Sequence, residues 1–221
     1  MSTTTTATVV NAHALHTALT IGTNGMGKVT ASNYLPVELQ CAHIHTHPDG
    51  DRLVVESTDR FKYMRATVEW DGPDVDAMIH RDDVPALIAA LKTPASQKST
   101  DRAEVSFGDT IEVRNGNRAV FAQNHANQYQ FPAVHKMMVQ AVDQVESPDV
   151  EPERMLSFGN DTLGSMRWLG DLTIIAGAPN KPILVLIREK KSGEPVGIGL
   201  VMPVRLSSEI DVTGVLRELA T

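Results

Sequence analysis

"GLVMPVRL" occupies residues 199–206, near the end of a 221-residue chain. An apolar run from Leu200 to Met202 meets Pro203, and Val204, Arg205 and Leu206 follow. Proline offers no amide hydrogen to a sheet ladder, so a central strand must stop there. Just ahead stand "LTIIAG" (172–177), "KPILVLIRE" (181–189) and "VGIGLVMP" (196–203), with "KKSGEP" between the last two. These are strand signals punctuated by turn residues. Before them, "MLSFGNDTLGSMRWL" (155–169) reads as a short strand and then a helix capped at Asn160, with Leu163, Met166 and Leu169 at helical spacing.

The same grammar occurs twice more. "TVVNAHALHTAL" (8–19) has Asn11 as a helix cap. "AMIHRDDVPALIAAL" (77–91) has Asp82 or Arg81 at the cap and Pro85 in the first turn, where proline is tolerated. Strand-like segments follow each helix. After the first come "VELQCAHIHTH", "RLVVEST" and "KYMRATVEW"; after the second come "AEVSF", "TIEVR" and "RAVFAQ", joined by "GD" and "NGN". Each unit is strand–helix–three strands, and the caps Asn11, Asp82 and Asn160 fall 71 and 78 residues apart. The chain is therefore expected to be an α+β protein built of three β-α-β-β-β units. "MVQAVDQVESPDVEPER" (138–154), acidic and with two prolines, reads as a connector. The tail from 207 to 221 is either a short amphipathic helix through Val212, Val215, Leu216 and Leu219 or a loosely attached terminus.

The composition, 42% hydrophobic and 21% charged, is that of a globular protein. No apolar run reaches the ~18 residues of a membrane span, and the Thr-rich start lacks the regions of a signal peptide. Cys41 is the only cysteine, which excludes an internal disulfide and fits a cytoplasmic protein. The formal net charge is −7. That argues against holding nucleic acid by overall charge, but not against a basic charge confined to one face.

Three motifs resemble chemical sites. "GTNGMGKV" (22–29) has the Gly–x4–Gly–Lys spacing of a phosphate loop. Val29 stands where a Ser or Thr hydroxyl is needed, and a helix precedes the glycines where a strand is required, so a flexible glycine loop is expected. "CAHIHTH" puts Cys41, His43, His45 and His47 on one strand face, as a metal site would. No further ligands lie at helpful spacing. A solvent-facing strand side with Ala42 and Ile44 inward is the plainer reading, and no metal is expected. "STDRF" places Thr58 and Asp59 at a strand end without a neighbouring base or nucleophile. No nucleophile elbow or carboxylate pair is present, so neither an enzyme nor a cofactor is expected.

"NKPILVLIREKKSGEPVGIGLVMPVRL" (180–206) resembles the C-terminus of the bacterial DNA polymerase III β sliding clamp, where a Lys-Pro strand leads through a hairpin to Met-Pro-x-Arg-Leu. "DRLVVESTDRFKYMRA" (51–66) is similar to the clamp's segment around Thr-Asp-Gly-His-Arg-Leu. "QYQFPAVHKMM" (128–138) is similar to its Phe-Pro-Asp-Tyr loop, and "SFGNDTLGSMRWLG" to its Phe-Asn-x-x-Tyr-Leu helix. The four occur in the family's order.

The resemblance implies the DNA-clamp fold, with helices lining a hole around duplex DNA and sheets outside. Residues 1–136 resemble the clamp's middle domain, 137–152 a connector, and 153–206 only the second half of its last domain. A shortened clamp, bacterial or from a phage of bacteria, is implied. Carried over by position, its partner-peptide pocket would use Thr58, Arg60, Phe61, Lys62 and Tyr63. Pro132, Lys136 and Met137 would come from the closing loop, and Leu200, Met202, Pro203, Val204, Arg205 and Leu206 from the tail. Arg60 stands for a glycine of the family and Phe61 for a histidine. Lys28, Lys92 and Arg167 are the candidate DNA-facing cations.

The implied partners are duplex DNA through its backbone, a polymerase or other replication protein through a clamp-binding peptide, further copies of the chain, and a clamp loader where one is needed. Units one and two are expected to share a sheet, leaving unit three with an open sheet edge to pair with another copy, in a tetramer rather than a trimer. The other reading is a module that keeps the pocket without encircling DNA, sequestering clamp partners or capping a host clamp.

Overall fold

The structure, a computed structural model, describes residues 7–30, 34–92, 101–146, 160–166, 168–175 and 181–203. Unit one contributes β1 (Thr8–Asn11), α1 (Ala12–Gly22), β2 (Cys41–Thr46), β3 (Arg52–Thr58) and β4 (Lys62–Glu69). Asn11 caps α1, its Oδ1 accepting the amide of Ala14 at 2.8 Å. Unit two contributes β5 (Asp76–His80), α2 (Val84–Leu91), β6 (Arg102–Phe107), β7 (Thr110–Asn115) and β8 (Arg118–Gln123). Asp83, not Asp82 or Arg81, precedes α2, and Pro85 sits in its first turn. After α3 (His135–Glu146), unit three contributes α4 (Asn160–Met166), β9 (Asp171–Ile175), β10 (Ile183–Arg188) and β11 (Pro195–Val201). Its opening strand and the tail lie outside the described residues.

Two antiparallel sheets result, ordered β1-β6-β7-β8 and β5-β2-β3-β4-β11-β10-β9. Units one and two exchange their first strands. β1 lies beside β6, with Val9 opposite Glu104, and β5 lies beside β2, with Ile44 opposite Ala77. Units one and two thus share both sheets through the exchanged strands, and unit three extends the larger one. β11 pairs with β4, Leu200 facing Tyr63 and Val201 facing Lys62. The open edge expected of unit three is occupied on that side within the chain, and β9 is its outer strand among the described residues. Alternating apolar residues on β11 explain the choice, because Val201 and Leu200 find cover on opposite faces of β4's sheet.

On one face, α1 and α2 fill the space between the sheets. Leu15, Leu19, Val55, Met64, Leu87, Ile111 and Val113 form a core that Met166, Val185, Ile187 and Val201 of unit three join. Each such side chain contributes roughly 1.5–3 kcal/mol by leaving water. In unit three, Met166, Ile183 and Val185 are buried, whereas Trp168 and Ile174 remain exposed. On the other face, Met138 and Ala141 of α3 pack on Tyr63, Leu184 and Leu200. Residues 137–146, read as part of a connector, are therefore a helix that covers the outer side of the β4–β11 seam.

The glycine loop is packed rather than flexible. A Cβ on Gly25 would lie 2.2 Å from the Ser57 carbonyl oxygen, and the Ser57 hydroxyl donates to the Gly22 carbonyl at 2.5 Å. The glycines let the end of α1 rest on β3. Among the described residues, no helix is long and apolar enough to cross a membrane.

Candidate functional site

β3 and β4 are joined by a turn that Asp59 organises. Its Oδ1 accepts the amides of Phe61 and Lys62, each at 2.9 Å. The Thr58 hydroxyl donates to the Lys62 carbonyl at 2.8 Å and accepts the Arg60 amide at 3.2 Å. Arg60 has φ 80, in the left-handed region that favours glycine. The turn throws Phe61 outward, 66% exposed.

A cavity of about 260 Å³ opens beside this turn. Thr58, Arg60, Phe61, Lys62 and Tyr63 line one side. Leu200 and Met202 enter from the end of β11, and Met137 from the start of α3. Eight of the fourteen residues expected to form a pocket are thus brought together. Val134 and Pro182 also line it and were not anticipated. Pro182 stands in the quoted "KPILVLIRE", and Val134 in "QYQFPAVHKMM", so the segments were recognised but not these positions. Pro132, Lys136 and Pro203 do not line the cavity, and Val204, Arg205 and Leu206 fall outside the described residues. Two other cavities, of about 430 and 940 Å³, lie elsewhere on α1 and β4 and share none of these residues.

The floor is rigid. Tyr63 and Leu200 are cross-strand partners, 3% and 4% exposed, seated on the Met138–Ala141 cluster. The Tyr63 hydroxyl donates to Oε2 of buried Glu56, which Arg65 approaches at 3.6 Å. Burial, with the Glu56 charge beside it, pushes the Tyr63 pKa up, so the phenol stays protonated. Burial likewise holds the Lys62 ammonium below its ordinary pKa, with Asp59 opposing and Lys28 adding to the effect. Lys62 Nζ donates to Ser165 Oγ of α4 at 3.2 Å, tying unit three to the turn. The wall is apolar and the rim polar, an arrangement suited to a short peptide with large apolar side chains.

The candidate DNA-facing cations are dispersed. Lys92 is the residue after α2 and Lys28 follows α1; both are exposed. Lys92 acts electrostatically on His16 of α1, and Lys28 on Lys62. Arg167 lies outside the described residues. Helices α1, α2 and α4 contain no Lys or Arg within their bounds.

The histidine face is not the solvent-facing side expected of it. Ala42 and Ile44 do point inward, 0% and 2% exposed. However, His43 stacks on Phe131 with ring centroids 5.1 Å apart, and both His43 and His45 face Glu56. The sequence signal for this was a single carboxylate, Glu56, in a strand whose other charged residue is Arg52 at its start.

No family model matches the chain, and no curated protein matches it. Solved structures do. The DNA polymerase sliding clamp of Pseudomonas aeruginosa is similar with a TM-score of 0.66 and 11% identity, over 93% of this chain and 69% of that one. The sliding clamp of Bacillus subtilis gives 0.66 and 10%, over 93% and 66%. The sliding clamp (DNA polymerase III subunit beta) of Bartonella birtlesii, bound to griselimycin, gives 0.64 and 14%, over 93% and 69%. The chain spans about two thirds of the length of these clamps. It has the sliding-clamp fold.

Proposed function

We propose that this chain is a sliding-clamp-like processivity factor: a homo-oligomer that encircles duplex DNA and tethers a polymerase or other replication protein through the cavity at the β4–β11 seam. The observation that carries the reading is the cavity itself. Its two sides come from distant segments, Tyr63 and its cross-strand partner Leu200 being 137 positions apart, and one sheet joins them, which supports a peptide pocket. A ring would replace tight binding by topology, since phosphate contacts carry no sequence information and let a protein slide. On this reading the role is tethering, not catalysis. A fluorescent peptide carrying the clamp-binding motif of a bacterial replicative polymerase tests it. Saturable binding that Met202→Ala weakens supports the reading; no binding to the intact chain contradicts it.

One observation favours the second reading, a module that binds such peptides without enclosing DNA. The helices that would line the hole carry no cation within their bounds, and the chain's net charge is −7. On that reading peptide binding persists while closed rings and DNA retention are absent.

A further inference from the structure

Behind the cavity floor, on the sheet face under Phe131, three potential ligand atoms converge. Nδ1 of His43 lies 3.4 Å from Oε1 of Glu56, and Nε2 of His45 lies 3.5 Å from the same oxygen. All three residues can bring a ligand atom within 4.8 Å of the others. Metal–ligand bonds of about 2.0–2.2 Å set adjacent corners of a tetrahedron roughly 3.3–3.6 Å apart. The two measured separations fall on that edge.

The surrounding contacts select the same nitrogens. The other ring nitrogen of His43, Nε2, meets Asp76 Oδ1 at 2.9 Å, and Nδ1 of His45 meets the Thr46 carbonyl oxygen at 3.1 Å. An acceptor at each outer nitrogen calls for a proton there. In the neutral rings this leaves the lone pairs of His43 Nδ1 and His45 Nε2 pointing at a carboxylate oxygen. This is how metal-bound histidines are ordinarily oriented, by a carboxylate or a backbone carbonyl on the far nitrogen. The second Glu56 oxygen is taken by Tyr63 and Arg65, which fixes the carboxylate so that Oε1 faces the histidines. Three acceptors on one point need a cation between them, either extra protons on the rings or a metal.

The geometry points to a divalent metal site of the zinc class, formed by His43 Nδ1, His45 Nε2 and Glu56 Oε1, with Asp76 and Thr46 as orienting partners. Two imidazoles and a carboxylate suit Zn²⁺ or Co²⁺ rather than Mg²⁺ or Ca²⁺, and three protein ligands leave a fourth position for water. His43 and His45 side chains are 19% and 23% exposed, so an ion has an entry path. Arg65 lies on the far oxygen and weakens, without blocking, the site. The ion would bridge β2 to β3 and, through the shared carboxylate, would hold Tyr63 in the cavity floor.

Zinc titration of the chelator-treated full chain, followed by calorimetry and by thermal melting, tests the site. The expected result is one equivalent of Zn²⁺ per chain, a raised Tm, and no Ca²⁺ or Mg²⁺ binding. His45→Gln should abolish the Zn²⁺-dependent rise in Tm. Asp76→Asn, at a side chain that is 78% exposed and carries little folding risk, should weaken zinc by about 10-fold. His47→Ala is the control for the exposed group His47, Asp49 and Asp51, and should leave binding unchanged. Absence of zinc binding, binding that survives His45→Gln, or binding lost in His47→Ala would each overturn the assignment and leave ring protons as the cations that satisfy Glu56.

Discussion

Met202 donates its backbone amide to the Phe61 carbonyl at 2.8 Å, one rung beyond the last pair of the β4–β11 ladder, Val201 with Lys62. This rung places the Met202 side chain, 38% exposed, beside the outward-turned Phe61 at the mouth of the cavity. Pro203 follows and offers no further amide, so the ladder ends where the cavity begins. The order of Val201, Met202 and Pro203 thus sets three consecutive roles: core, cavity wall, strand stop.

Met202→Ala should therefore cost peptide affinity rather than stability. Removing a central apolar anchor costs about 2 kcal/mol or more, roughly 30-fold in Kd. The backbone rung to Phe61 is kept, so the Tm should stay near that of the parent. Fluorescence polarisation with the polymerase peptide measures the first and a thermal melt the second. Equal peptide affinity in parent and variant would remove Met202 from the site.

Arg60→Gly should stabilise the fold or leave it unchanged, because glycine adopts φ 80 without a side-chain penalty. Arg60→Ile should destabilise it by about 1–2 kcal/mol, since a β-branched residue is strongly disfavoured there. Urea unfolding of both variants reads the difference. The opposite order would mean that the left-handed turn is not what this position demands.

Gly25→Ala should destabilise the chain by about 1–3 kcal/mol, as overpacking does, because its Cβ would meet the Ser57 carbonyl at 2.2 Å. ATP with Mg²⁺ should not raise the Tm of the parent chain. A nucleotide-dependent shift would restore the phosphate-loop reading of residues 22–29.

Replacing Lys28, Lys92 and Arg167 together by alanine should lower DNA affinity and flatten its dependence on salt, since each phosphate contact releases counterions. Filter binding across a salt series is the measurement. An unchanged affinity and slope would show that these cations are ordinary solvated charges.

The repeat was legible because turn residues and helix caps are local signals: Asn11, Pro85 and the "NGN" hairpin with Gly116 at φ 59 each act within a few residues. Strand partnership was not. Alternation shows that Leu200 and Val201 face opposite sides, but it does not say whether β4, β8 or another chain lies beside them. The exchange of β1 and β5 is invisible for the same reason. Helix α3 was hidden by acidic residues and by prolines that come after it. Its signal was the spacing of Met138, Ala141 and Val142, which are drawn onto the Tyr63–Leu200 seam. The cavity was legible through a resemblance rather than a pattern, and its missed members, Val134 and Pro182, contribute apolar surface that no polar motif announces.

The ring is the central claim, and unit three's partner strand within the chain removes the simplest reason for it. What remains, among the described residues, is the outer strand β9, with Ile174 exposed on it and Trp168 just before it, and the outer strands β1 and β8 of the other sheet; the outer strand β5 is capped by Asn124 and His125, which bond the Met78 amide and carbonyl. Electron microscopy of the purified full chain at micromolar concentration tests the claim most directly. Closed rings with a central hole wide enough for duplex DNA are the predicted result, four copies being expected rather than three. A field of single compact particles with no rings, at concentrations where the peptide binds, would contradict encirclement and leave the non-encircling module.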